Sequence, residues 1–232
     1  MKNNAGIKIS NINSLNKYSE MYLKAFHQCD TYLTWEPYGN VAAGIFESLN
    51  FIHINFNKPK IWAFTIDIFN HINTKLWTRY LQGKKILIIS PFVNSFKSKI
   101  NIREKIYGID LFPNCEFIFL KPPMTQGNCD SQEFDIELNN FVNKIKNIKD
   151  TFDIALLSCG GYGNLLCSEI YNMNKSAIYI GGVLQMYFGV YGNRWERERP
   201  EIMTIYKNEY WSKPTEDERP DGFENVEKSC YW

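Results

Sequence analysis

Residues 152–196, FDIALLSCGGYGNLLCSEIYNMNKSAIYIGGVLQMYFGVYGNRWE, decide the fold of this chain. A short apolar run at 154–157 is followed by a glycine-rich turn at 159–163 and by a helix-like segment at 164–173. A second apolar run at 177–180 then ends in a pair of glycines. This order of strand, turn, helix and strand predicts two parallel strands joined by a crossover helix. The glycine turn therefore stands at the edge where open α/β sheets bind ligands.

The chain before this unit shows the same alternation. The near-continuous apolar run at 85–90 (KILIIS) is typical of a strand buried on both faces of a parallel sheet. A second strand is predicted at 116–120, and helices are predicted at 95–107 and 134–148. We therefore predict an α/β fold, with a Rossmann-like, doubly wound, mostly parallel sheet and helices on both of its faces.

The flanking regions have other patterns. Toward the N-terminus we predict an amphipathic helix at 15–27, a short strand at 31–35 and a helix at 41–49. After residue 190 the chain is rich in charge, proline and tryptophan, with one short helix predicted at 200–206. Because it carries large aromatic side chains that suit a solvated linker poorly, we predict an ordered tail that wraps the domain.

Composition excludes several classes of protein. The net charge is +1 and no Lys/Arg block is present, so we expect no nucleic-acid-binding surface. No apolar run is long enough for a membrane span, and no signal-peptide core opens the chain. The six cysteines form neither a C-x-x-C pair nor a zinc pattern, which favours free thiols in a reducing, cytoplasmic compartment.

The glycine turn is the first candidate binding element. Gly160, Gly161 and Gly163, with Tyr162 between them, would let backbone N–H groups approach a phosphate at the start of the next helix. The alternative is that these glycines only permit a tight turn and close helix–sheet packing. The run is not the full G-x-G-x-x-G fingerprint, and no acidic residue ends the second strand, so an NAD-dependent oxidoreductase is disfavoured.

Further candidates follow the second strand. Gly181 and Gly182 stand at its carboxyl end, and Gln185 can both donate and accept hydrogen bonds to a base or a sugar hydroxyl. Arg194 could bind a diphosphate, and the adjacent Trp195 could stack on a sugar or a base. The alternatives are a simple helix start and a surface arginine packed on tryptophan.

Carboxylates form the last group of candidates. Asp30 and Glu36 flank the first predicted strand and could hold a divalent metal, although capping and surface roles are the ordinary alternative. Glu209 lies in the polar and aromatic tail beside Trp211 and could act as a base, although glutamates in such tails are commonly solvated. None of the three histidines stands in a recognisable nucleophile pattern.

Several runs resemble the GT-D-like glycosyltransferase group, whose bacterial and viral members serve surface glycan assembly. The resemblance covers roughly residues 76–232. The runs that carry it are 84–92 (KKILIISPF), 155–163 (ALLSCGGYG), 180–189 (IGGVLQMYFG), 192–195 (GNRW), 208–214 (NEYWSKP) and 230–232 (CYW). The group's Arg-Phe-Gly-Asp-Gly-Glu type motif is missing here, and Asp30 and Glu36 are only a positional stand-in for its acidic pair.

The resemblance implies a single GT-D-like domain over 1–232, with an N-terminal part (1–82), a Rossmann-like core (83–190) and a wrapping tail (191–232). It implies sugar transfer from a nucleotide-sugar donor, a UDP-sugar, to a glycan or glycoconjugate acceptor in surface polysaccharide biosynthesis, and it allows Mn²⁺ or Mg²⁺.

On this basis each candidate receives an expected role. The two glycine elements would cradle the diphosphate, Arg194 would offset the charge of the leaving group, and Gln185 would contact donor hydroxyls or base. Trp195 or Trp211 would stack on the sugar, while Glu36 or Glu209 would activate the acceptor. The rival hypothesis is a non-catalytic, Rossmann-like module that binds a nucleotide or glycan within a biosynthetic complex.

Overall fold

The computed structural model describes residues 1–34, 57–70 and 72–232 of the chain. Its strands are β1 (Tyr32–Thr34), β2 (Lys60–Trp62), β3 (Lys85–Ile89), β4 (Glu116–Leu120), β5 (Ile154–Leu157) and β6 (Ser176–Tyr179). Its α-helices are α1 (Lys2–Ala5), α2 (Ile12–Gln28), α3 (Val93–Lys99), α4 (Arg103–Tyr107), α5 (Phe134–Asn147), α6 (Gly163–Asn172), α7 (Leu184–Tyr187), α8 (Asn193–Glu198) and α9 (Pro200–Tyr206).

Four of the strands form a parallel sheet in the order β4-β3-β5-β6. β1 and β2 form a separate parallel pair. The predicted α/β class and parallel sheet are confirmed. Helices join the successive strands of the larger sheet, because parallel neighbours need a crossover connection. β4 lies on one side of β3, and β5 lies on the other. The order in which the strands are added to the sheet therefore reverses between β3 and β5.

Both faces of the large sheet are covered. Along β3, Ile86 and Ile88 pack into one buried cluster, whereas Leu87 and Ile89 pack into another. Side chains alternate across a strand, so the two clusters lie on opposite faces. Helices α2, α5 and α6 contribute to the cluster that contains Leu87, and α3 and α7 contribute to the other. Full burial of each of these aliphatic side chains contributes roughly 1.5–3 kcal/mol.

One sequence-based helix needs correction. The single helix predicted over 95–107 is two helices, α3 and α4, separated by the 3₁₀ turn Ile100–Ile102. The two helices bury different surfaces, since Phe96 packs in one buried cluster and Ile106 in another. The helix predicted at 41–49 lies outside the described residues, whereas the short helix predicted at 200–206 is confirmed as α9.

The tail after residue 190 returns to the sheet. Trp211, Val226, Cys230 and Trp232 are all buried.

Among the helices of the described ranges, none combines the length and the apolar character that crossing a bilayer requires.

Glu218 ties this tail to helix α3. Its Oε1 accepts hydrogen bonds from the backbone N–H groups of Asn94 (2.7 Å) and Ser95 (3.2 Å). Its Oε2 accepts from the hydroxyls of Ser95 and Thr215. The side chain is only 1% exposed. A tail carboxylate therefore caps the first turn of α3, where free N–H groups would otherwise be buried without partners.

Trp232 makes the second attachment of the tail, and its removal should destabilise the fold. Its indole packs edge-on against Phe92 and Phe223, and its Nε1 donates to the Glu218 carbonyl (3.1 Å). We expect Trp232→Ala to lower the free energy of unfolding by about 3–5 kcal/mol, as for other buried aromatic truncations. Urea denaturation of Trp62→Ala is the control, because Trp62 is 46% exposed. Equal losses in the two variants would contradict the attachment.

Candidate functional site

The glycine turn lies at the carboxyl end of β5, directly before α6. Gly160 has a left-handed backbone (φ 53°), which favours glycine. A Cβ atom at Gly160 would lie 2.5 Å from the Ala5 carbonyl oxygen, and one at Gly161 would lie 2.1 Å from Cδ1 of Ile7. The N-terminal segment is thus packed against the turn, and this close approach is one reason for the glycines.

A pocket opens beside this packed turn. Its volume is about 420 Å³, within the usual size range of small-molecule sites. Four tyrosines from three parts of the chain line it, together with polar side chains and the two glycines. The lining residues are Met1, Asn4, Ala5, Tyr18, Tyr22, Gly160, Gly161, Asn164, Tyr179, Glu227 and Tyr231. We call this cavity the tyrosine pocket.

The tyrosine hydroxyls are protonated donors. Burial raises the pKa of Tyr18, Tyr179 and Tyr231 above the ordinary value. Burial also raises the pKa of Tyr22, and a hydrogen bond with the Asn164 side chain offsets part of this effect. The Tyr18 hydroxyl donates to the Gly161 carbonyl oxygen (2.9 Å), which fixes the turn against α2. The pocket therefore offers aromatic faces and neutral hydroxyl groups to a ligand.

A second, more polar cavity adjoins the first. Its volume is about 450 Å³, and its lining residues are Arg194, Arg197, Glu198, Glu227 and Lys228. Glu227 lines both cavities. The Arg194 guanidinium forms an ion pair with Glu227 and lies 5.1 Å from the centre of the Tyr231 ring. Arg194 thus contacts two residues of the tyrosine pocket, Glu227 and Tyr231.

Gly192 allows this arrangement. A Cβ atom there would lie 2.3 Å from the Tyr231 carbonyl carbon, which is closer than any side chain tolerates. The backbones are also hydrogen-bonded, since Arg194 N donates to the Cys230 oxygen at 2.9 Å. This contact holds the start of α8 against the backbone of Cys230 and Tyr231 and places Arg194 beside the Tyr231 ring.

The structure brings together three of the residues predicted from sequence. Gly160 and Gly161 line the tyrosine pocket, and Arg194 lies beside its wall. Gly163 and Gly182 lie behind the pocket wall. Their missing side chains make room for the rings of Tyr179 and Tyr231. A Cβ at Gly163 would lie 2.3 Å from the Tyr179 ring, and one at Gly182 would lie 2.9 Å from the Tyr231 ring.

Other predicted binding residues lie elsewhere. Gly181 has a left-handed backbone (φ 74°) and no neighbour on its open side, while Tyr162 is 1% exposed. Gln185 is also 1% exposed, and neither its amide oxygen nor its nitrogen has a hydrogen-bond partner within the described structure. These two buried side chains do not line either cavity.

The two tryptophans expected to stack on a sugar are occupied by the protein itself. The Trp195 ring packs edge-on against Phe69, at 5.6 Å between centres. Trp211 is buried, and its Nε1 donates to the Ile106 carbonyl oxygen. Trp211 is therefore part of a buried cluster, and Trp195 is a partly buried residue packed against the same cluster.

Two of the three predicted carboxylates lie in the part of the chain that the structure describes. Glu209 and Asp30 are both exposed and line neither cavity, and Glu36 lies outside the described residues. In the ranges 1–34, 57–70 and 72–232, no group of three or more metal-ligating side chains occurs.

Sequence reasoning missed most of the pocket's side chains. Tyr18 and Tyr22 are spaced four residues apart on α2 and were interpreted only as its apolar face. Tyr179 belongs to the second apolar run, and Tyr231 belongs to the predicted wrapping tail and to the run 230–232 of the resemblance, neither of which predicts a pocket wall. Glu227 carried no signal at all, since a lone glutamate in a charged segment is ordinarily solvated.

Comparison of the chain with family models, with curated proteins and with solved structures finds no match in any of the three.

Proposed function

We propose that this protein is a glycosyltransferase that moves a sugar from a nucleotide-sugar donor, a UDP-sugar, to a glycan or glycoconjugate acceptor in surface polysaccharide biosynthesis. Its parallel sheet then belongs to the Rossmann-like, doubly wound type, with the donor in the tyrosine pocket at the carboxyl ends of β5 and β6. The six cysteines are free thiols, and we infer a cytoplasmic location from them.

One observation carries the proposal: the glycine turn and four tyrosines line a pocket at the carboxyl edge of the sheet, and Arg194 of the adjoining cavity lies beside one of those tyrosines, Tyr231. Aromatic faces pack against the apolar faces of sugars and bases, while hydroxyl and amide groups bond to their polar edges. A neighbouring arginine can bind a diphosphate with two parallel hydrogen bonds. The combination suits a donor that joins a base, a diphosphate and a sugar.

Each group then has a role that its surroundings support. Tyr231 and Tyr179 would pack against a ring of the donor, and the Asn164 side chain would bond to a hydroxyl. Arg194 would offset the negative charge that develops on the leaving diphosphate. We assign no step to a divalent metal, for which Asp30 and Glu36 are the sequence-based candidates.

A non-catalytic binding module is the second candidate, and one observation favours it. The open faces of Gly161 and Gly163 are filled by Ile7 and the Tyr179 ring. Only the remaining surface of the turn is available to a phosphate, so the pocket could hold a nucleotide or glycan without activating it.

A thermal-shift screen tests the donor. The purified protein is heated with UDP-, GDP-, CMP- and dTDP-sugars, each with and without manganese, and with uridine as the control. A ligand at 100 times its dissociation constant stabilises the native state by about 2.7 kcal/mol. We expect a rise in melting temperature with a UDP-sugar. The absence of a shift with every donor would contradict the proposal.

The two candidates differ in what happens to the bound donor. An enzyme should hydrolyse the stabilising nucleotide-sugar slowly without acceptor, because water can take the place of the acceptor hydroxyl. A binding module should release it unchanged. Chromatography of the donor after overnight incubation separates these outcomes.

A further inference from the structure

Glu227 is the carboxylate at the boundary of the two cavities. Among the described residues that line the tyrosine pocket, no other side chain carries a carboxylate. The Glu227 side chain is 28% exposed, so it is within reach of a ligand while remaining largely enclosed. A carboxylate in this place would meet the same ligand as the tyrosines.

The two oxygens of Glu227 have different surroundings. Oε2 accepts a hydrogen bond from Nη2 of Arg194 and another from the Cys230 thiol at 3.2 Å. Burial, followed by the bond to Glu227, raises the pKa of Cys230 to about 12, so the thiol stays protonated. No described residue donates to Oε1. One oxygen is therefore held in place, and the other is available to an external hydroxyl group.

The backbone beneath Glu227 is unusual. Glu227, Lys228 and Ser229 have φ values of 46°, 58° and 58°, the left-handed region that non-glycine residues rarely occupy. Two hydrogen bonds hold the turn, from Ser229 N to the Val226 oxygen and from Arg194 N to the Cys230 oxygen. Such unfavourable conformations persist where the surroundings enforce them, and they are concentrated at functional sites.

We propose that Glu227 is the base that accepts the proton of the attacking hydroxyl group. This inference rests on the proposed function. As the hydroxyl oxygen forms its bond to the anomeric carbon, the bond between that carbon and the diphosphate oxygen breaks. The electron pair of that bond leaves on the diphosphate, beside Arg194, and the hydroxyl proton passes to Oε1 of Glu227. Glu227 thus takes the role expected for Glu36 or Glu209.

The first test compares Glu227→Gln with Glu224→Gln, an exposed glutamate three residues earlier in the same tail. Glutamine keeps an oxygen for Arg194 but cannot take a proton. We expect donor affinity within about threefold of the wild type and turnover lowered by at least about 100-fold, as for the loss of other general bases.

A second variant tests whether the loss of turnover is only a consequence of altered structure. Glu227→Gly suits the left-handed backbone, so it should fold with a melting temperature close to that of the wild type. Added formate should restore part of its turnover by supplying a carboxylate in the vacated space. Failure of formate to raise turnover at all, in a folded variant that binds donor, would count against the base.

The outcomes separate the two proposals. If the wild type turns over a donor and Glu227→Gln does so at a similar rate, the base assignment is overturned and the glycosyltransferase stands. If the wild type binds donors but never cleaves them, the enzyme assignment fails and the base assignment fails with it. Loss of turnover in Glu227→Gln alone, with binding intact, supports both.

Discussion

Arg194→Ala should lower turnover of the nucleotide-sugar by about 100- to 1000-fold, the size of effect that follows loss of one group stabilising a developing negative charge. The guanidinium pairs with Glu227, which lines both cavities, and lies over Tyr231. Its removal takes away both the charge that faces the diphosphate and the donor that holds Glu227. Initial rates of donor cleavage measure the effect.

Arg199→Ala is the matched control. Its side chain is 37% exposed, against 35% for Arg194, and it pairs with Glu201 and Asp67 and lines neither cavity. We expect its turnover to stay within about twofold of the wild type, since surface substitutions far from a site have little effect. Arg194→Lys keeps the charge without the planar fork and should lie between the two. Equal rates in all three variants would refute the assignment.

Glu218→Ala should lower the free energy of unfolding by about 3 kcal/mol. The carboxylate accepts four hydrogen bonds at the start of α3, and hydrogen bonds to charged groups contribute roughly 1.5–3 kcal/mol each, less than additively. Alanine would leave the N–H groups of Asn94 and Ser95 buried without an acceptor. The midpoint and slope of urea denaturation give the change in stability.

Glu216→Ala provides the comparison for Glu218. It lies in the same short 3₁₀ turn, Glu216–Glu218, but its side chain is exposed. Its effect should stay within about 0.5 kcal/mol. Glu218→Gln should cost less than the alanine variant because one oxygen still accepts. A Glu218→Ala variant as stable as Glu216→Ala would show that the cap contributes nothing.

The strands were the most predictable part of the fold. Residues 85–90 and 154–157 have almost no polar side chain, and only a strand covered on both faces buries such a run at that length. The division of this segment into α3 and α4 was not predictable. It depends on the different surfaces against which Phe96 and Ile106 pack. Sequence periodicity describes one helix face at a time, and it contains no information about the partner surface.

The candidate site was predictable only in part. Gly160, Gly161 and Arg194 were recognisable because glycines after a strand let the backbone approach a ligand and arginine binds diphosphates. The tyrosines gave no such signal, since an aromatic stripe at helical spacing predicts core packing. Glu218 and Glu227 belong to a charged segment, where burial depends on long-range contacts such as that between Glu218 and Asn94, 124 residues apart.

By itself the sequence determined the α/β class, the order of strands and helices, and the turn at 159–163, because hydrophobic spacing and backbone freedom are local properties. The tertiary structure alone decided that Trp195 and Trp211 are packed within the protein, that Tyr231 forms a pocket wall, and that Glu227 meets Arg194. Those outcomes depend on how the N-terminal segment and the tail fold back onto the carboxyl edge of the sheet. Contacts between segments so distant in the chain follow from shape and burial, which the order of residues alone does not display.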